Sequence, residues 1–289
     1  MARTASFQFD PNQEHQLRAI EAAVQLFDGL PRQDAAAFQL GDDIIPNLPP
    51  NESLDEAWLL DNLNAVRAAN DFGPSLLLDV DEGLVLDGAG IDSWRFPVYT
   101  VEMETGTGKT YVYLRTIYEL RKRYGWRKFI IVVPSVAIFE GVRQSFEDMQ
   151  EHFKSLYENE TVHLTPYASA QISRLRSFAS STFTEIMVMT VDAFNKSGNN
   201  FYKPTEKLPG ERLPFQYVQE TRPILILDES QNYLSARSRE ALRTLHPLFA
   251  INYSATPGER PNLFYRLGPL EAFQQGLVKK IDVIGVTEQ

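Results

Sequence analysis

Three short stretches carry residue types that can act together on a phosphate chain. The first is Met103-Glu104-Thr105-Gly106-Thr107-Gly108-Lys109-Thr110, which follows an apolar, strand-like run and opens a stretch of helical periodicity. Gly106 and Gly108 free the backbone to turn successive N–H groups inward at phosphate oxygens, and the following helix adds its positive end. Lys109 then reaches the β- and γ-phosphates, while Thr110 offers a hydroxyl to a magnesium ion bridging them. The usual G-x-x-x-x-G-K-T pattern has Met103 in its first position, where the residue mainly makes the turn.

The second stretch, Ile224-Leu225-Ile226-Leu227-Asp228-Glu229, is an apolar strand ending in two adjacent carboxylates. Alternation along a strand sends neighbouring side chains in different directions. Asp228 is thereby suited to the magnesium shell and Glu229 to orienting and deprotonating an attacking water. An acidic pair alone more often caps a helix or faces solvent; its weight comes from the upstream loop. The third stretch, Tyr253-Ser254-Ala255-Thr256-Pro257, again closes a strand and by itself reads as a turn.

These residues need strand tips to hold them, and the sequence after Pro97 supplies strands. Apolar runs predict them at Val98–Met103, Phe129–Val133, Val162–Thr165, Ile186–Thr190, Ile224–Leu227 and Phe249–Tyr253, alternating with amphipathic helices as a parallel α/β sheet requires. Between the second and third, Phe139, Val142, Phe146, Met149, Phe153 and Leu156 step by three and four, marking a helix with one core-facing stripe. Upstream, a helix is predicted from Asn12 to Phe27, stopped by Asp28-Gly29. Residues 31–97 look like an insertion broken by Pro46, Pro49, Pro50 and Pro74, with a short helix near Leu54–Ala69 and a hairpin near Leu76–Leu86.

The 289 residues suit one large domain or two small ones. No cysteine is present, which removes disulfides and thiolate zinc sites. His15, His152, His163 and His246 are scattered without ligand spacing and read as surface or packing residues. Apolar runs are too short to cross a bilayer and the N-terminus lacks a leader pattern, so a cytoplasmic location is expected. The net charge of −10 is uneven: residues 1–98 hold 5 basic and 17 acidic side chains, the remainder 23 and 21. Such an average neither requires nor excludes a nucleic-acid partner, which depends on local charge.

Taken in order, METGTGKTYVYLRTIYEL, YGWRKFIIVVPSVAIFEGV, VDAFNKSGNNF, RPILILDESQN, INYSATP and LVKKIDV resemble the superfamily 2 helicase-like motors. More narrowly, they resemble the restriction (ATPase-endonuclease) subunit of type III restriction-modification enzymes. The resemblance implies a RecA-like P-loop domain with a parallel β-sheet flanked by helices. It also implies ATP and Mg²⁺ as cofactors, DNA as partner, a methyltransferase (modification) subunit in the intact enzyme, and ATP hydrolysis coupled to DNA translocation. Residues 1–30 would then form an adenine-recognition region, 31–97 an accessory segment and 98–289 the first motor domain.

Carried over by position, Gln16 resembles the glutamine that reads the adenine edge, and Thr105, Gly106, Thr107, Gly108, Lys109 and Thr110 the nucleotide loop. Asp228 and Glu229 match the magnesium and hydrolytic pair, Ser254, Ala255 and Thr256 the element coupling hydrolysis to movement, and Gln231 a relay toward it. Pro134, Ser135, Thr190 and Asp192 resemble strand-end loops that grip one DNA strand by its phosphates, a role blind to sequence.

Ser230 stands where relatives often carry proline or alanine. Family members continue into a second motor domain and a nuclease domain, and the chain is expected to stop short of both. It would then lack the arginines of the facing domain, worth roughly 10³-fold or more in rate. No Pro-Asp…Glu-x-Lys nuclease constellation is found, so DNA cleavage is not assigned to these residues. Two other readings stay open: a superfamily 2 DNA helicase without nuclease, and a regulatory ATP-binding module whose acidic 1–98 region docks a protein partner.

Overall fold

A computed structural model of the chain describes residues 9–33, 44–86, 93–167, 171–208 and 212–278. Lys279 and Lys280, with residues 281–283 of the last resembling stretch, lie outside the described residues. The chain runs α1 (Glu14–Gln25), α2 (Glu56–Ala69), β1 (Val80–Leu84), β2 (Ser93–Met103), α3 (Lys109–Tyr124), β3 (Lys128–Val133), α4 (Val136–Leu156) and β4 (Val162–Pro166). It continues through α5 (Ser173–Ser180), β5 (Thr184–Thr190), α6 (Pro214–Thr221), β6 (Ile224–Asp228), α7 (Ala236–Thr244), β7 (Phe249–Ser254), β8 (Leu263–Leu267) and α8 (Pro269–Gln274).

All six expected strands form one sheet in the order β1-β2-β7-β6-β3-β5-β4, with β8 also on β2. Every pairing except β1 with β2 is parallel. Continuous apolar runs serve here because both faces are covered, and alternation divides each run between two cores. Phe129, Ile131, Val133, Ile224 and Ile226 face the core closed by α1, α2, α3 and α4. Ile130, Val132, Leu225 and Leu227 face the core shared with α5, α6 and α7. In α4 the stripe Val142, Phe146, Met149 and Phe153 is buried, as its spacing predicts, and the Ser135 hydroxyl caps the helix by accepting from Ile138 N at 3.3 Å.

Among its described residues the accessory segment departs from expectation in two ways, the first being that β2 begins at Ser93, five residues before the expected Val98. Residues 76–86 form no hairpin: β1 pairs with Ser93–Pro97 of β2. The stretch before it is tied to a turn instead, Asp79 N donating to Asn262 Oδ1 and Asn262 N to Asp79 Oδ2. Leu76 and Leu77 are left exposed. The helix α2 sits where predicted and sends Leu59, Leu63 and Val66 into the first core. β8 was not anticipated; it is five residues between Pro261-Asn262 and Gly268-Pro269, too short for a periodic signal.

Lys128, at the start of β3, is fully buried. Its Nζ donates to Phe178 O (2.5 Å) and Ser181 O (2.6 Å), satisfying carbonyls at the end of α5. Burial pulls its pKa down to about 7, against an ordinary 10.5. Between those values the unfolded chain holds a proton that the folded one has released, so this group's contribution to stability rises with pH across that window. Lys128→Met should leave the two carbonyls unpaired and destabilise the fold by about 1–3 kcal/mol in urea titrations. The gap from wild type should widen between pH 7 and 10; a pH-independent gap would refute the neutral buried amine.

Candidate active site

β2 ends at Met103, and the chain turns through Glu104–Gly108 into α3. Gly106 (φ +84°) and Gly108 (φ +91°) take left-handed conformations that a side chain would strain. Thr107 anchors the turn by donating its hydroxyl to Glu104 O at 2.7 Å, and Thr105 N is held by the Glu104 carboxylate at 2.8 Å. Met103 is buried strand rather than a left-handed residue, so methionine meets no obstacle there. Lys109 Nζ points back across the turn, 3.4 Å from Met103 O and 3.2 Å from Glu229 Oε1.

The carboxylates arrive on β6, beside β7 and one strand removed from β2. Asp228 closes β6 at 6% exposure, and the Tyr113 hydroxyl donates to its Oδ2 at 3.4 Å. Glu229 then takes a left-handed conformation (φ +53°), with its N–H donating to Tyr253 O at 2.9 Å. That turn lets two consecutive acids leave the strand in different directions. Glu229 Oε2 accepts from Gln231 Nε2 at 3.0 Å, and the Ser254 hydroxyl lies 2.7 Å from Gln231 Oε1 and 3.2 Å from Glu229 Oε2. Ser254 Oγ also accepts from Thr256 N at 3.0 Å. Gln231 thus joins the acid to the Ser254–Thr256 turn, with Ala255 between.

The two acids differ in proton affinity. Burial, reinforced by Glu229, pushes the Asp228 carboxyl up to about 6, against the pull of Lys109 and Tyr113. Burial acts the same way on Glu229, but the Gln231 amide, the Lys109 ammonium and the Ser254 hydroxyl outweigh it and hold that carboxyl below its ordinary value. Neutral solution therefore finds Glu229 ionised and paired, and Asp228 an acid in want of a cation.

Gln16, buried in α1, sends Nε2 to Thr107 O at 3.1 Å. Its neighbour His15 places Nε2 3.0 Å from the same carbonyl, so the imidazole carries its proton on Nε2 there. The Tyr265 hydroxyl in turn donates to His15 O at 2.7 Å. His15 is thus a support of the glycine-rich loop that its scattered position in the sequence concealed; the one available signal was its place beside Gln16.

The four remaining candidates stand apart from this crevice, at the ends of β3 and β5, where Val133 and Thr190 are register partners. Pro134 precedes the N-cap Ser135, and exposed Asp192 follows Thr190. Asp192 Oδ1 accepts from Asn195 Nδ2 at 3.2 Å and its backbone oxygen from Asn199 Nδ2 at 3.1 Å, fixing the loop after β5. No helix among the described residues is long and apolar enough to cross a membrane.

Comparison with known proteins adds a family. Residues 12–259 match the family model described as type III restriction enzyme, res subunit. The chain is 31% identical over 220 residues to the StyLTI Res subunit of Salmonella typhimurium, covering 63% of this chain and 22% of that one. It is 27% identical over 296 residues to the EcoPI Res subunit of Escherichia phage P1, covering 95% of this chain and 29% of the relative. It thus spans less than a third of the length of these curated relatives. Among solved structures, a nuclease-deletion mutant of the type ISP restriction-modification enzyme LlaGI with a DNA substrate mimic aligns at TM-score 0.41 and 16% identity, over 62% of this chain and 18% of that one. With the family model spanning the glycine-rich loop, both acids and the Ser254–Thr256 turn, the chain belongs to the Res-subunit family of type III restriction enzymes.

Proposed function

We propose that this chain is an ATP-hydrolysing motor domain that couples nucleotide turnover to movement along duplex DNA, in the cytoplasm and, in the intact enzyme, beside a methyltransferase subunit. The observation that carries this reading is the meeting of Lys109, from the turn after β2, with Glu229, from the tip of β6, at 3.2 Å and next to Asp228. Residues more than a hundred positions apart serve one crevice.

A magnesium nucleotide fits the residues present. A Cβ at Gly106 would meet open space, so the turn has room for phosphate against its N–H groups. Asp228 and Thr110 offer hard oxygen donors, and the raised pKa of Asp228 marks a carboxylate that a cation would stabilise. These two residues would hold magnesium, which supplies charge neutralisation on the β- and γ-phosphates. Lys109 has to leave Glu229 to reach phosphate. Glu229 then loses one of the contacts that depress its pKa and becomes a stronger acceptor for a water proton at its carboxylate oxygen. Gln16 would offer Oε1 to the adenine amino group while its Nε2 keeps the Thr107 carbonyl, and Ser254, through Gln231, would report the state of Glu229 to the strand end. The Pro134-Ser135 and Thr190–Asp192 loops would hold DNA phosphates through N–H and hydroxyl groups, with the Asp192 anion shaping its loop.

Lys109→Ala should weaken ATP binding about 10- to 100-fold in calorimetry, the loss expected of a charge-assisted contact; wild-type affinity would sink the assignment. Glu229→Gln should keep ATP binding, because Lys109 is released from its ion pair, yet lower turnover in the presence of duplex DNA roughly 10²- to 10⁴-fold. Undiminished hydrolysis in that variant would remove Glu229 from the role.

A further inference from the structure

α3 brings one more side chain to the crevice. Tyr113 stands three positions after Thr110, on the same face of the helix, and is fully buried. Its ring packs edge-on against Tyr253 of β7, with centroids 5.6 Å apart and planes at 64°. Tyr253 is in turn tied to α3, its hydroxyl donating to Thr116 Oγ1 at 3.3 Å. A ring gripped in this way fixes where its own hydroxyl lies. Phenylalanine would fill the same space without the cost of burying a hydroxyl, so the oxygen is the part of Tyr113 that calls for a role.

That oxygen stands between the two residues that would hold magnesium. It donates to Asp228 Oδ2 at 3.4 Å, and the Thr110 hydroxyl hydrogen-bonds to it as donor. A phenol has one proton to give and lone pairs with which to accept, so the chain runs one way, from Thr110 through Tyr113 to Asp228. A threonine hydroxyl that lends its oxygen to a cation must still place its proton, and the phenol oxygen takes it. With Oδ2 engaged, Asp228 keeps Oδ1 for the crevice. The link to Asp228 is long for an O–H···O contact, and such contacts in unliganded sites often tighten when the site fills.

We propose that Tyr113 is a positioning residue for the magnesium pair, holding Thr110 and Asp228 in register through one phenol oxygen. This role rests on the reading of the crevice as a magnesium-nucleotide site, and it makes the hydroxyl count only when the metal is present. Nucleotide held by Lys109 and the loop N–H groups alone has no need of it.

Calorimetry of the full chain with a non-hydrolysable ATP analogue, in magnesium and in EDTA, tests this. Tyr113→Phe should bind the analogue in EDTA within about twofold of wild type, and in magnesium roughly 3- to 10-fold more weakly, the range for one hydrogen bond. Electron paramagnetic resonance with Mn²⁺ in place of magnesium should show a matching rise in the half-saturating metal concentration. Should Tyr113→Phe fold poorly, 3-fluorotyrosine at position 113 keeps the phenol, and its fluorine resonance should move when magnesium joins the nucleotide complex. A stationary resonance, the full magnesium gain in Tyr113→Phe, or an equal loss with and without metal would each overturn the role while leaving the magnesium-nucleotide reading in place. A wild type whose nucleotide affinity is indifferent to magnesium would overturn both.

Discussion

One ammonium and two carboxylates share a single partly buried crevice, and the parallel register of three strands makes that possible. Val101 and Asp228 both pair with Tyr253, so β2, β7 and β6 end at nearly the same level. The turn after β2, the acids after β6 and Ser254 at the end of β7 are then neighbours without any long side chain having to search for them. Open α/β sheets hold ligands at the carboxyl ends of their strands for this reason.

That proximity gives the acids unequal surroundings. Asp228, lodged deep, accepts one long hydrogen bond from Tyr113, whereas Glu229 is surrounded by Lys109, Gln231 and Ser254. Two neighbouring carboxylates whose surroundings drive their proton affinities apart are a recurrent way of dividing labour in a site. The Lys109–Glu229 pair keeps a partly buried cation and anion neutralised, which limits the cost of leaving either charge alone.

Much of this architecture was readable in the residues because the strands are buried on both faces and therefore appear as unbroken apolar runs. The glycine spacing likewise betrays its turn, since positive φ at Gly106 and Gly108 is a backbone requirement that other residues meet poorly. What stayed hidden depends on tertiary partners. β8 becomes a strand through the free edge of β2, Leu76–Asp79 is governed by Asn262 rather than by its own alternation, and His15 acquires its role from a carbonyl ninety-two positions away. No periodicity encodes such pairings.

The outer side of β2 is divided between two short strands running in opposite directions, β1 against Ser93–Pro97 and β8 against Thr100–Met103. A continuous eleven-residue border would be a template for stray chains to add to. Split into two five-residue lips of contrary polarity, and interrupted by Pro97, it offers no single direction in which a foreign strand can zip along. The same arrangement makes Val80–Leu84 a guard of the sheet's margin, so excising that segment would trade a tidy surface for a sticky one.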